Sequence, residues 1–232
     1  MDAYRLVFEN PKFLSGFGNI IKIMLIGLPL NLVLTLLCGY FMACSGMVWK
    51  RHICMFIMFT MFFSGGLIPG YLNIRSLGLY DTIWALVLPS GLSVYNAIIC
   101  KSAIEAIPES LSESAYLDGA QDFQVLFRII VPLIKPTMAV LLLYYGVGHW
   151  NSWFSASIYI RDEMKLPLQN IIRQLLLENQ NLAEANQGDY YNAYAETIKY
   201  AAIVVSTVPI LCIYPFLQKY FVKGAMIGAV KG

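Results

Sequence analysis

Five carboxylates, Glu105, Glu109, Glu113, Asp118 and Asp122, crowd the stretch 105–122 of a chain otherwise poor in charge. Paired carboxylates such as Glu113 and Asp118 can act as general acid and base. That chemistry needs a pocket, and Glu113 and Asp118 sit on a short exposed loop with no pocket-forming sequence around them and no metal-ligand triad. A second group mixes aromatic faces with hydrogen-bonding side chains: Tyr144, Tyr145, His149, Trp150, Asn151 and Trp153, with Tyr95 and Asn96 earlier. Aromatic faces flanked by donors and acceptors can hold carbohydrate rings and hydroxyls. Weak contact at several points suits a path that must release what it carries. Other chemistry is missing from the sequence. There is no GxxxxGK[ST] phosphate loop, HExxH, GxSxG or kinase signature. The five cysteines, Cys38, Cys44, Cys54, Cys100 and Cys212, form no CxxC pair and read as small apolar fillers.

The elements that position these residues are set by hydropathy. The chain is 58% apolar and 13% charged, with a mean hydropathy of +0.62, where a soluble domain carries about a quarter charged residues. This composition defines an integral membrane protein. A net charge of +2 and a pI of about 8.2, with no basic stripe, exclude nucleic acid as a partner class. Met1 to Asn10 has no signal-peptide pattern. Five intervals lack Asp, Glu, Lys and Arg: 23–49, 53–74, 82–100, 136–160 and 200–218. Each approaches the roughly 20 residues a helix needs to cross the hydrocarbon core. Helices are the open-ended way to satisfy a backbone in lipid. The fold expected is an all-α polytopic bundle with spans at about 19–44, 53–73, 82–104, 136–160 and 198–218. Lys50, Arg51 and the tail lysines Lys219, Lys223 and Lys231 lie on short segments without acids, which places those ends in the cytoplasm. The loop 108–136 is then inside, and Met1 to about Phe17 and the loop 161–196 outside.

Within the spans, Pro29, Pro69, Pro89 and Pro209 favour kinks, and Pro89-Ser90-Gly91 marks the third run as a broken segment facing a pathway. His149 is a polar group deep in the fourth run, where it either serves function or bonds a neighbouring helix. Trp153 and Tyr159 fit an aromatic belt at the outer interface better than a substrate contact. In the outer loop, Leu168, Ile171, Ile172, Leu175 and Leu176 predict an amphipathic helix of about three turns. The stretch 108–136 reads as two short helices meeting at Gly119, which tolerates the positive φ that ends a helix. Ser110 or Ser112 caps the first and Asp122 the second, whose apolar residues Phe123, Leu126, Phe127 and Ile130 share one face. Pro132 and Pro136 close it. An enzyme or scaffold embedded in the membrane and working through the acidic loop 105–122 is the alternative reading.

Glu113-Ser114-Ala115, followed by Gly119, Ile129 and Val131-Pro132, resembles the EAA loop of the membrane subunits of binding-protein-dependent ABC importers. Ser114 and Val131 depart from the usual Ala and Leu, and both preserve the helix and its apolar contact. Trp150-Asn151-Ser152-Trp153-Phe154, Pro167-Leu168-Gln169 and the tail Tyr220 to Gly232 are similar to the carbohydrate branch, the maltose-type permeases. The resemblance runs from about Tyr4 to Gly232. It implies a type I ABC importer bundle of about five spanning helices with a cytoplasmic coupling helix. It also implies ATPase contact through Glu113, Ala115, Asp118, Gly119, Ala120, Phe123, Ile129 and Pro132. The substrate path expected runs past Tyr95, Asn96, Tyr144, Tyr145, His149, Trp150 and Asn151. No catalytic residue, metal or cofactor is implied, because ATP is bound by partner subunits. The partners implied are a second permease, two ATPases, an extracellular solute-binding protein, the lipid bilayer and a sugar, the cargo expected being an oligosaccharide. The site is a bacterial plasma membrane, crossed several times. Maltose-type subunits begin with one more spanning helix. Here the residues resembling the first external loop, Tyr4 to Asn19, follow Met1 almost at once, so that helix is expected to be missing.

Overall fold

Every regular element among the described residues is helical, as a backbone in lipid requires. The structure, a computed structural model, describes residues 11–44, 48–185, 197, 200–201, 203–209 and 211–212. Ten helices are used below: α1 (Pro11–Ala43), α2 (Lys50–Phe59), α3 (Leu67–Ser76), α4 (Trp84–Val87), α5 (Val94–Glu105), α6 (Glu109–Leu117), α7 (Asp122–Leu133), α8 (Lys135–Asn151), α9 (Phe154–Tyr159) and α10 (Leu168–Ala185). Among the described residues α1 alone is long and apolar enough to cross a bilayer unaided, and α7 and α8 reach that length only together, across an 83° bend.

The expected spans differ in continuity. The interval 53–73 is divided, because α2 stops at Phe59 and Ser64-Gly65-Gly66 precedes α3, with Gly66 at φ +91°. The interval 82–104 is divided between α4 and α5, at the Pro89-Ser90-Gly91 stretch. The helix of the outer loop, α10, extends to 18 residues, and Leu168, Ile171 and Ile172 are its buried face. The first ten residues, parts of the 198–218 interval and the tail lie outside the described residues, and with them the expectation of a missing first helix.

The described residues pack as two units, one drawn from 11–27, 67–89 and 146–212, the other from 28–66 and 90–145. In the first unit, α1 lies against α10. A Cβ on Gly16 would stand 3.0 Å from Ile171 Cγ1 and 3.2 Å from Leu168 Cα, so glycine permits that approach. Gly27 does the same for His149, whose Nε2 would be 2.8 Å from an added Cβ. Ala156, Ile160, Leu166 and Ile171 form a small core, with Leu86 and Leu175 against it.

In the second unit, α1 crosses α5 where Gly39 meets Cys100, and a Cβ there would lie 2.8 Å from Cys100 Cβ. Leu36, Cys100, Ile104, Val125, Leu126, Ile130, Ile134 and Leu141 form its core. The chain before α5 is not helical, and its backbone groups need partners. Asn31, fully buried on α1, donates through Nδ2 to Ser90 O at 2.7 Å and to Gly91 O at 2.9 Å. Tyr145 Oη accepts from Ser93 N at 2.9 Å and shares a 2.7 Å hydrogen bond with Thr35 Oγ1. Ser93 Oγ then caps α5 by accepting from Asn96 N.

Asn31→Leu removes both donors and leaves the buried Gly91 O without its bond from Nδ2, at a cost of about 1–3 kcal/mol. The Tm of the purified permease in detergent is expected to fall by about 4–10 °C. An unchanged Tm would mean that Ser90 O and Gly91 O find other donors.

Candidate functional site

The acidic stretch folds around one turn. α6 ends at Asp118, and Gly119 follows at φ +82°. Gly119 N donates to Tyr116 O at 3.0 Å and Ala120 N to Ala115 O at 2.9 Å. Those two bonds define a Schellman motif, which closes a helix on its own last carbonyls and requires the left-handed backbone that glycine accepts. Ala115 and Ala120, at the ends of the bond that spans more of the chain, both pack onto the core of their unit. The spacing from Ala115 to Gly119 is therefore the spacing of a helix stop.

The caps differ from the sequence expectation. α6 starts after Pro108, and Ser110 and Ser112 lie inside it. Gln121, not Asp122, precedes α7, and its N–H donates to Gln124 Oε1 at 3.0 Å. Asp122 is the first helical residue, and its Oδ1 accepts from Tyr116 Oη at 2.8 Å. Tyr116 Oη also lies 3.2 Å from Tyr40 Oη, so two hydroxyls and a carboxylate tie α6, α7 and the end of α1 together. Sequence reasoning passed over Tyr40 and Tyr116 because each is an ordinary tyrosine near the end of its helix.

The apolar face of α7 also differs. Phe123, Leu126, Phe127 and Ile130 do not act together: Val125, Leu126 and Ile130 are buried, while Phe123 and Phe127 are exposed and stacked at 6.4 Å. The buried side of the helix is centred on Val125, Leu126 and Ile130, so Phe123 and Phe127 fall on its flank, and a π-turn runs over Leu126–Ile130. Pro132 does not end the helix but sits exposed within it, and Ile134 marks the bend before α8. Glu113 and Asp118 are exposed and Ile129 is half-buried. Leu117, at the apex, is 89% exposed. Beside this turn lies a cavity of about 850 Å³, walled in part by Tyr40, Lys50, Glu109, Glu113, Tyr116 and Asp122.

The aromatic and polar residues proposed from sequence to line a path fall in both units. In the second unit, Tyr95 and Tyr144 are exposed, whereas Asn96 and Tyr145 are buried and Tyr145 is engaged with Thr35 and Ser93. In the first, His149 and Trp150 are buried and Asn151 is exposed. Trp150 Nε1 donates to Ser206 O at 3.2 Å, and the Trp150 ring meets Phe17 edge-on at 6.2 Å. Asn151 Nδ2 bonds Val147 O of its own helix at 3.0 Å. Asn31 and Thr35 were missed, although two polar residues at i, i+4 in an apolar run are a readable signal of a polar seam.

Asp81, also missed, is held at φ +60°, a strained backbone for a residue other than glycine. Its N–H donates to Tyr159 O at 2.8 Å. Its Oδ1 accepts from Arg161 N at 3.0 Å and Asp162 N at 3.1 Å, and Lys165 Nζ donates to Oδ2 at 2.6 Å. Glu163 pairs with Lys12 of α1, and Met164 O accepts from Ser15 Oγ and Asn19 Nδ2. The segment leading into α10 is thus fastened on two sides.

Helices broken at capped turns, a helical loop ending in a Schellman glycine and a polar seam within apolar packing define a membrane permease subunit. Residues 10–226 match the family described as "Binding-protein-dependent transport system inner membrane component", and the chain belongs to that family. Protein LplC of Bacillus subtilis is 43% identical over 100% of this chain and 79% of its own length. The polygalacturonan/rhamnogalacturonan transport system permease protein YtcP of the same organism is 37% identical over 100% of this chain and 82% of its own. A crystal structure of a bacterial ABC transporter involved in the import of the acidic polysaccharide alginate contains a chain with a TM-score of 0.84 and 30% identity, matched over 94% of this chain and 79% of that one. The chain is a permease subunit of the carbohydrate ABC transporter kind.

The Asp81 fastening has a defined pH range. Lys165, hydrogen-bonded to it, holds the Asp81 carboxyl at about 2, below the usual 3.8. A carboxyl lowered by folding stabilises fully above its unfolded pKa and loses that contribution as pH falls through the folded one. Melting of the wild type should therefore show this loss only from about pH 4 down to about pH 2. Asp81→Asn should melt lower at pH 7 and show a smaller decline over that acid range, as read by tryptophan fluorescence. Equal melting of both proteins at pH 7 would assign the loop's order to its other contacts.

Proposed function

We propose that this chain forms one half of the translocation pathway of an oligosaccharide importer in a bacterial plasma membrane, crossing it several times. A second permease completes the path, two ATPase subunits dock on the 108–136 loop, and an extracellular solute-binding protein delivers the sugar. ATP is bound and hydrolysed by the ATPases, so this chain needs no cofactor of its own. Polygalacturonan and alginate, named for two relatives, are acidic polymers, and an acidic oligosaccharide is the cargo class carried over here.

The observation that supports the reading most is the shape of the 108–136 turn. It projects Leu117 and the stacked Phe123 and Phe127 beside the exposed Glu113 and Asp118, an apolar tip flanked by acids. Such a tip costs free energy in water and gains it in the cleft of another subunit. The Tyr40–Tyr116–Asp122 link and the Schellman turn tie the tip to α1 and to the core, so force applied there reaches the membrane helices. The exposed Tyr95, Tyr144 and Asn151 are the residues proposed to meet passing sugar.

Glu113→Lys reverses the charge at the tip, and Gly119→Val forces a branched side chain into the left-handed region, at a cost of at least about 1 kcal/mol. Each is expected to abolish sugar uptake and to weaken ATPase co-purification by about tenfold or more. Sugar binding by the separate solute-binding protein is expected to stay unchanged. Normal uptake in both variants would remove the coupling role from this loop.

A further inference from the structure

The helix that carries Glu113 has room to give way. α6 buries none of its residues, and Glu109, Ser112, Glu113 and Tyr116 face the cavity of about 850 Å³ beside the turn. A helix pushed toward empty space meets no packed side chains, so it tilts until some other contact stops it. The C-terminal end of α6 is held by the Schellman bonds, with Ala115 and Ala120 on the core. Its polar side chains supply one further tie. Ser114 Oγ turns back to Ser110 O of its own helix at 2.7 Å, and among the described residues Tyr116 is the polar side chain of α6 that bonds other elements.

Tyr116 has a single hydroxyl proton, and a carboxylate can only accept. That proton goes to Asp122 Oδ1 at 2.8 Å, so the 3.2 Å contact with Tyr40 is made by the proton of Tyr40. The bonds therefore run in one direction, from Tyr40 near the end of α1, through Tyr116 of α6, to the first residue of α7. All three side chains stand in the cavity wall. We infer that Tyr116 is a positioning residue for transport: with Tyr40 and Asp122 it forms a strut that stops α6 from yielding into the cavity when the ATPases close, so that movement of the tip moves α1. The inference rests on the importer reading above and adds the residue that converts docking into sugar movement. Without the strut, the ATPases still find the apolar tip and still hydrolyse ATP, but the loop absorbs part of their motion. The strut needs an acceptor at position 122 and not a charge, which separates it from an ion pair between Asp122 and an ATPase.

The test uses the whole importer, with its ATPases and binding protein, in lipid vesicles. Uptake of a galacturonic acid tetrasaccharide and hydrolysis of ATP are measured in the same vesicles. Tyr116→Phe keeps the ring and removes both bonds. It is expected to leave ATPase co-purification as in the wild type and hydrolysis within about twofold, while sugar taken up per ATP falls by at least about threefold. Tyr40→Phe should lower that ratio in the same way, and the double variant should be no worse than either single one. Asp122→Asn keeps an oxygen acceptor and should stay near the wild type, whereas Asp122→Ala should fall with Tyr116→Phe. An unchanged ratio in Tyr116→Phe overturns the strut. Equal losses of uptake and hydrolysis, or loss of the ATPase from the complex, overturn it as well, because they assign Tyr116 to docking or to folding. So does an Asp122→Asn variant as impaired as Asp122→Ala, which makes the charge the working part. In each of these outcomes wild-type uptake leaves the importer reading standing. If the wild type itself takes up no tetrasaccharide, the importer reading fails for that cargo and the strut, which rests on it, falls too.

Discussion

A backbone group in hydrocarbon has no water to fall back on, and the break before α5 depends on side chains that replace it. The Ser90–Ser93 stretch shows this directly. Its carbonyls are met by the buried Asn31 and one of its N–H groups by Tyr145, which Thr35 orients in turn. Breaking a helix inside a membrane protein therefore commits residues far away in sequence. The polar positions on α1 face the place where the chain cannot be helical, and their chemistry is fixed by which group, carbonyl or N–H, is left over.

The same reasoning applies to the loop between α6 and α7, with solvent as the other boundary. A Schellman stop satisfies the last carbonyls of α6 internally, so the turn needs no external cap and Leu117 can stand free at the apex. Apolar side chains that stand free next to a self-satisfied backbone are well suited to a protein partner, because nothing polar must be stripped of water when they dock. The acids around it confer orientation more than strength. Asp122 is used inward, by Tyr116, while Glu113 points to solvent.

How much of this was legible follows from whether a feature is local. Gly119, Pro89-Ser90-Gly91 and the apolar spacing from Leu168 to Ile172 announce themselves within a few residues, because a left-handed stop, a helix break and an amphipathic face are local facts. Asn31 and Tyr145 are invisible until α1 and α8 are set beside the break they repair. Asp81 looked like one more loop acid, since a positive φ at a residue other than glycine depends on the five bonds that hold it. The reading of α7 missed in a different way. Periodicity names a common side of a helix without saying which part of it meets the core, and the buried arc runs through Val125, Leu126 and Ile130, with Phe123 and Phe127 on its flank and one extra residue in the π-turn over 126–130.

That extra residue also works like a tooth on a gear. In a regular helix each residue advances the azimuth by about 100°, so the bearing of everything before Leu126 relative to everything after Ile130 is indexed by residue count. A chain shorter by one residue within 126–130 could relax to a regular helix, and α6 would then swing by about that angle around the axis of α7 while every side chain kept its identity. The loop's aim is thus a matter of counting as well as chemistry. Relatives that keep the acids and the glycine but change the count in this turn would present the same tip in another direction, to a differently placed partner.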